Sequence, residues 1–246
     1  MLRNLKYSVL ILVLFSCGKE NRFDCFKSNG PVISSERDLG AFKHIMVYDK
    51  IDLNLIQGNE YKVEIMAGKK IMSNISTSNT NGTLVIENNN KCNFVRGYDK
   101  KITVNITVPK IDRIESHGVG AIRFNENFVQ DSIFLLAENS GDIYVNGNFK
   151  RITTGSHGNG DIYADGICDT LTVYTFGTNS FKGENLTIKT YVFIENISIG
   201  DVRINAPLNG KLECNIWRNG NIYYRGNPTS INDLSDGTAK GKLIKE

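Results

Sequence analysis

His117, Glu138 and His157 recur at nearly even intervals, an imidazole on either side of a carboxylate. These are donor types that hold zinc and related transition metals. Side chains stacked on neighbouring strands stand about 5 Å apart, so the three could converge on one ion. The alternative chemistry is a charge-compensated ladder in which Glu138 bonds one or both rings. The residues favour the ladder, and no metal or other cofactor is assigned. His44, in Phe42-Lys-His-Ile, reads as a solvated or packed ring at a strand start.

A second set at the same interval carries rings and cations: Arg123, Tyr144, Tyr163, Lys182, Arg203 and Tyr223. Aromatic faces can pack on sugar rings, and Arg or Lys can meet acidic substituents. This column is the candidate ligand-contact stripe, weighed against ordinary sheet surface, where Tyr is favoured and charge deters edge pairing. A third set reads Ala121, Asp142, Asp161, Ser180, Asp201 and Asn221. A calcium ladder of the nonapeptide type needs Gly-x-Asp in every short repeat, whereas here Gly and Asp are adjacent and the repeat is far longer. Asp and Asn also suit turns by bonding their own backbone, and that is the expectation.

The common interval comes from a repeat. Gly120-Ala-Ile-Arg-Phe, Gly141-Asp-Ile-Tyr-Val, Gly160-Asp-Ile-Tyr-Ala, Asn179-Ser-Phe-Lys-Gly, Gly200-Asp-Val-Arg-Ile and Gly220-Asn-Ile-Tyr-Tyr superpose in close succession. A period of about 20 residues with apolar–polar alternation predicts a β-solenoid. Numbered from each anchor, the position two later (Ile122, Ile143, Ile162, Phe181, Val202, Ile222) is apolar and should point inward. So should the position eight later (Phe128, Phe149, Cys168, Thr187, Leu208). The positions eight before the next anchor (Ile133, Ile152, Leu171, Val192, Leu212) and six before it (Ile114, Leu135, Thr154, Val173, Ile194, Cys214) complete a three-walled core.

Ahead of the regular rungs, Ile51, Leu53 and Leu55 share a face, Asn81-Gly82 signals a hairpin, and Ile102 to Val108 alternates up to Pro109. No amphipathic helix is evident. The fold expected is all-β: a parallel β-helix with regular rungs over 111–246, preceded by irregular strands over 36–110. Whether 36–110 is a separate cap or the first rungs is left open.

The chain opens with Arg3 and Lys6 ahead of the apolar run Val9 to Phe15, which is too short to span a membrane. Residues 1–16 read as a signal peptide, and Leu14-Phe-Ser-Cys17 resembles the lipobox of bacterial lipoproteins, with Cys17 as the acylated residue. An ordinary signal peptide with an incidental cysteine is the alternative. Several acyl chains on one residue anchor stably where one alone is marginal. Residues 17–35 read as the tether. The whole chain has 29 Lys and Arg against 26 Asp and Glu. Removing residues 1–16 takes away Arg3 and Lys6 and leaves the two signs nearly balanced, with no basic field for nucleic acid. Of the other cysteines, Cys168 and Cys214 fall in inward columns. Cys25 and Cys92 lie outside the repeat and are expected to pair, with about 4 kcal/mol of stabilisation in the loop-entropy model.

No Gly-x-Ser-x-Gly elbow, phosphate-binding loop or Cys-x-x-Cys pair is present. Asp131-Ser-Ile and Asp169-Thr-Leu resemble an O-glycosylation sequon of exported Gram-negative proteins. From Glu36-Arg-Asp-Leu-Gly-Ala-Phe onward the chain resembles the family named putative auto-transporter adhesin, head GIN domain. Ile51-Asp-Leu-Asn-Leu-Ile-Gln-Gly, Gly82-Thr-Leu-Val-Ile-Glu-Asn, Ser140-Gly-Asp-Ile-Tyr, Ser156-His-Gly-Asn-Gly-Asp-Ile-Tyr and Gly220-Asn-Ile-Tyr-Tyr-Arg-Gly-Asn-Pro carry the likeness. The resemblance implies a right-handed β-helix on a secreted or lipid-anchored envelope protein, and it transfers no catalytic residue. The function expected is a non-catalytic envelope lipoprotein, an adhesin or glycan-contacting module, held at the outer membrane by its lipid with either face possible. Its ligand would be a polysaccharide or surface protein. The alternatives are a periplasmic structural role and a β-helix polysaccharide-active enzyme.

Overall fold

The computed structural model describes residues 28–91, 101–125 and 128–246. Among these there is no α-helix, only a turn of 3-10 helix at Met72–Asn74. Cys17, Cys25 and Cys92, and with them the signal peptide, lipidation and disulfide expectations, lie outside the described residues.

The repeat becomes register. β9 (Ile122–Asn125), β11 (Ile143–Ser156), β12 (Ile162–Gly177), β13 (Phe181–Gly183), β15 (Val202–Asn205), β17 (Ile222–Arg225) and β19 (Leu243–Lys245) pair in parallel. Ile122, Ile143, Ile162, Phe181, Val202, Ile222 and Leu243 follow one another up this wall. β8 (Arg113–Ser116), β10 (Phe128–Ala137), the later halves of β11, β12 and β14 (Leu186–Ser198), then β16 (Lys211–Ile216) and β18 (Ser230–Asp233) build a second wall. Its inward columns are fully buried from Ile114 to Cys214 and from Ile133 to Leu212. The first residues of β10 and β14 and the middle stretches of β11 and β12 make a third wall.

That third wall departs from the expected columns. Phe128 sits opposite Gly147 rather than Phe149. The step from Ile122 to its partner Ile143 is longer than the step from Phe128 to Gly147, so the surplus falls between Ile122 and Phe128. Ile188, not Thr187, faces Cys168, and the register shifts between Cys168 and Thr170. Leu208, expected inside, is 64% exposed in a turn beyond the end of this wall.

The N-terminal part is both rungs and cap. β2 (His44–Val47) and β3 (Ile51–Gln57) form one rung, and β6 (Thr83–Asn88) and β7 (Ile102–Val108) another. β2 lies between β6 and β8, and β3 between β7 and β9, all parallel. The rung that comes first in sequence is therefore second in the stack. β4 (Lys62–Gly68) runs antiparallel to β7, β1 (Val32–Arg37) antiparallel to β4, and β5 (Ile75–Thr80) antiparallel to β6. These three strands cover the end of the stack and occupy the sheet edge there. The β5–β6 hairpin turns on Asn81 and Gly82, both at positive φ, as a type I′ turn requires. β1 starts at Val32, so the end of the expected tether is strand. One hydrophobic core runs from Phe42 to Tyr224 across the 110/111 boundary. Phe42, Phe128, Phe149 and Phe181 are fully buried in it. Each contributes about 2–3 kcal/mol by burial.

Candidate functional site

Parallel, in-register stacking turns each outward column into a ladder on the surface, and the ladders carry the candidate chemistry. The turn carboxylates come first. Asp142 Oδ1 accepts from the Asp161 N–H at 2.9 Å, Asp161 Oδ1 from the Ser180 N–H at 2.8 Å, and Asp201 Oδ1 from the Asn221 N–H at 2.9 Å. Asn221 Oδ1 accepts from the Lys242 N–H at 3.0 Å, and Asp52 Oδ1 from the Ala121 N–H at 3.0 Å. The expectation that these side chains bond their own backbone is corrected: each caps the rung above it. Their job is to hold rungs together at the corner.

The Arg/Tyr/Lys stripe is continuous, with Arg123, Tyr144, Tyr163, Lys182, Arg203 and Tyr223 each opposite the next. Tyr144 and Tyr163 stack 4.6 Å apart at 12°. The Arg123 guanidinium lies 4.9 Å from the Tyr144 ring centre, Lys182 Nζ 4.5 Å from that of Tyr163, and the Arg203 guanidinium 4.0 Å from that of Tyr223. Lys182 Nζ donates to Asp161 at 2.7 Å and Tyr163 Oη at 2.9 Å, which raises its pKa. Arg203 pairs with Glu246. Both faces of Tyr144 and of Tyr163 are thus covered by their neighbours in the ladder. What the stripe offers a ligand is ring edges, hydroxyls and cationic groups, not open faces on which a sugar could stack.

The His117/Glu138/His157 column divides. His157 Nδ1 lies 3.1 Å from Glu138 Oε1, but His117 Nε2 turns to Glu115 Oε2 at 2.8 Å and its ring stacks on Tyr48 at 4.8 Å. Glu138 therefore serves one ring. His44 Nε2 reaches Glu115 Oε1 at 2.9 Å, and Arg113 Nε donates to the same oxygen at 2.6 Å. Glu115 is thus the hub, a carboxylate 8% exposed on the outer side of β8 with two imidazoles and a guanidinium converging on it. Sequence columns passed over it, although His117, just past the end of β8, sits two residues from Glu115 and so on the same face of extended chain. Among the described residues no group of three His, Cys, Asp or Glu side chains is placed to hold a metal ion. Beside this cluster a groove of about 480 Å³ is lined by Phe42, Lys43, His44, Tyr61, Thr83 and Arg113, among others.

Burial opposes ionisation of Glu115, but the bonds from Arg113, His117 and His44 outweigh it and hold the carboxyl below its ordinary value. A group with a depressed folded pKa contributes stability above its unfolded pKa, near 4.3 for Glu, and loses it as pH falls through the folded value. Glu115→Gln should cost about 1–3 kcal/mol at pH 7 and flatten the acid limb below about pH 4. Urea melts at a series of pH values check this, and parallel curves for the two proteins would show that Glu115 is not held this way.

Cys168 and Cys214 are buried and unpaired, and burial pushes both thiols up to about 12. They are inert core residues, as their columns imply.

The outer side of the second wall carries a further set of rings. Tyr174 on β12 and Phe193 on β14 meet edge-on at 6.0 Å, and Phe176 packs edge-on against His157 at 4.8 Å. Trp217, just after β16, is 49% exposed and its Nε1 donates to Glu195 at 3.1 Å. Phe176, Ile197 and Trp217 share the histidine column of the sequence, where the histidines are the more conspicuous members. Tyr174, Phe193 and Glu195 lie on outward positions between two inward columns, which the same period-two count locates.

The model of the family described as putative auto-transporter adhesin, head GIN domain, matches residues 41–228. Among solved structures, a putative adhesin from Bacteroides fragilis superposes with a TM-score of 0.78 at 20% identity, over 88% of this chain and 97% of that one. A putative lipid binding protein from Parabacteroides distasonis gives 0.67 at 15%, over 88% and 98%. A putative adhesin from Parabacteroides merdae gives 0.58 at 16%, over 89% and 98%. At these identities the likeness is one of fold. No curated protein sequence matches the chain.

Proposed function

The chain belongs to the putative auto-transporter adhesin, head GIN domain family, and from that premise we propose that it is a non-catalytic binding module of the bacterial cell envelope. In this reading the lipid on Cys17 tethers it to the outer membrane and the solenoid presents its outer faces to a ligand. The observation that carries the reading is the in-register stacking, which repeats aromatic, cationic and amide groups up the outside of a side-chain-filled core. Such a surface is a rigid array matched to a repetitive or extended partner, as in other solenoids. The Arg123 to Tyr223 stripe can take part through its cations and hydroxyls. The solved structures of similar fold that are described as adhesins support the same reading.

Protease shaving of intact against permeabilised cells tests it, with wild type beside Cys17→Ala. The expected result is digestion in intact cells, and release of the variant from the membrane fraction. Protection of the wild-type chain until the cells are permeabilised would overturn the surface-binding reading in favour of a periplasmic structural role.

A further inference from the structure

On the second wall, Tyr174 lies opposite Glu195 and Phe176 opposite Ile197. Phe193 and Ile197 flank Glu195 along the same strand face, and Trp217 hydrogen-bonds it from the rung above. A carboxylate is thereby set in the middle of an apolar, aromatic patch. Its neighbour Glu213 is fully engaged, by Lys211 at 2.8 Å, Tyr191 at 2.6 Å and Asn232 at 3.0 Å. Glu195 has no cationic partner among the described residues. Its one side-chain hydrogen bond among the described residues is from the indole N–H, which leaves acceptor capacity open.

We propose that this patch, centred on Trp217 and Glu195, is a binding site for a neutral saccharide. The proposal rests on the binding-module reading above and names its ligand class and its face. An open sheet surface suits the flat apolar side of a pyranose, whose C–H groups pack on aromatic rings. Tyr174, Phe193 and Trp217 meet at edges or stand exposed, whereas the rings of the Arg/Tyr stripe are closed over one another. Sugar hydroxyls are donors, and the lone pairs of Glu195 left over from the indole bond accept them as charge-assisted bonds. The same uncompensated charge repels uronates and sulfated sugars, so charge complementarity selects neutral chains. Rungs about 4.8 Å apart repeat at close to the advance of one sugar in an extended chain, letting a short oligosaccharide span β12 to β16.

The chain has one tryptophan, so its emission reports this patch alone. The full-length, detergent-solubilised protein is titrated with mannan and β-glucan oligosaccharides and, in parallel, with oligogalacturonates and heparin fragments. A neutral oligosaccharide is expected to blue-shift the emission to saturation while the acidic ones do not. By calorimetry, Trp217→Ala should weaken that binding at least about tenfold, as expected of an aromatic anchor. Glu195→Gln should weaken it several-fold, and Tyr144→Ala and Tyr163→Ala should leave it unchanged. Binding that survives in Trp217→Ala but is lost in Tyr144→Ala overturns this site and leaves the binding-module reading standing. A preference for the acidic oligosaccharides also overturns it. No binding of any neutral oligosaccharide overturns the ligand class, while the shaving result decides the wider reading separately.

Discussion

Gly120→Ala is expected to lower stability by about 3–5 kcal/mol, the largest effect we expect of a single methyl group in this chain. A Cβ there would lie 1.9 Å from the Ile51 carbonyl oxygen and 2.3 Å from its carbon, both backbone atoms of the rung beneath. Gly120 is not in the left-handed region, so the demand is for close approach and not for an unusual turn. Relief requires the rungs to part where β9 sits on β3, at the contact that joins the regular rungs to the one inserted from earlier in the chain. Gly155→Ala is the matched control: its new Cβ meets only Leu136 Cδ1, at 3.0 Å, the end of a rotatable side chain. Urea denaturation should give a large fall in midpoint for Gly120→Ala and a small one for Gly155→Ala. Equal falls would show that the spacing between rungs tolerates a methyl at the corner.

The same corner shows what the sequence made legible. The anchors at 120, 141, 160, 179, 200 and 220 translate into parallel register because a solenoid converts period directly into stacking. The insertion of β2 and β3 between β6–β7 and β8–β9 was not legible. Ile51 meets Ile102 and Leu53 meets Ile122 across long, unequal stretches of chain interrupted by antiparallel strands, so no constant period marks them. For the turn carboxylates the residue type was informative and the partner was not: one Asp column can cap its own turn or the next rung, and rung spacing decides. For the candidate site, alternation told which side chains of the stripe point outward. It could not tell that Tyr144 and Tyr163 close over each other, because ring-to-ring geometry depends on χ angles that spacing does not encode. The aromatic patch around Glu195 was available to the same alternation, but its columns are mixed: Tyr174, Glu195 and Asn215 look like unrelated surface until the sheet sets them beside Phe193 and Trp217.

Mixed columns also hide part of the interior, and Asn196→Ala measures how much that part contributes. Counting four back from the anchors gives Ser116, Ala137, Ser156, Thr175, Asn196 and Ile216, which is mostly polar yet buried throughout. Asn196 is 0% exposed. Its Oδ1 accepts from Thr175 Oγ1 at 2.7 Å and from the Ser198 N–H at 3.0 Å, and its Nδ2 donates to the Gly220 carbonyl at 3.0 Å. Thr175 and Ser198 lie near the ends of β12 and β14 and Gly220 in the turn before β17, so the side chain ties two strand ends and a turn together across successive rungs. Alanine leaves a hydroxyl, an N–H and a carbonyl buried and unmatched, which should cost about 3–5 kcal/mol in all. Asn196→Asp should be worse at pH 7, because the ionised side chain keeps both acceptor bonds yet sets a charge against the Gly220 carbonyl. Burial raises the folded pKa of that aspartate, so the variant should regain stability as pH falls and the carboxyl takes up a proton to donate in place of Nδ2. Chemical denaturation at pH 7 and pH 4 therefore separates two accounts of this column. If asparagine, alanine and aspartate at position 196 fall within about 1 kcal/mol of one another, strand pairing alone holds the corners. If they rank in that order at pH 7 and aspartate recovers at pH 4, the buried Asn196 amide is a second fastening between rungs, working from inside the corner as the aspartates work from outside it.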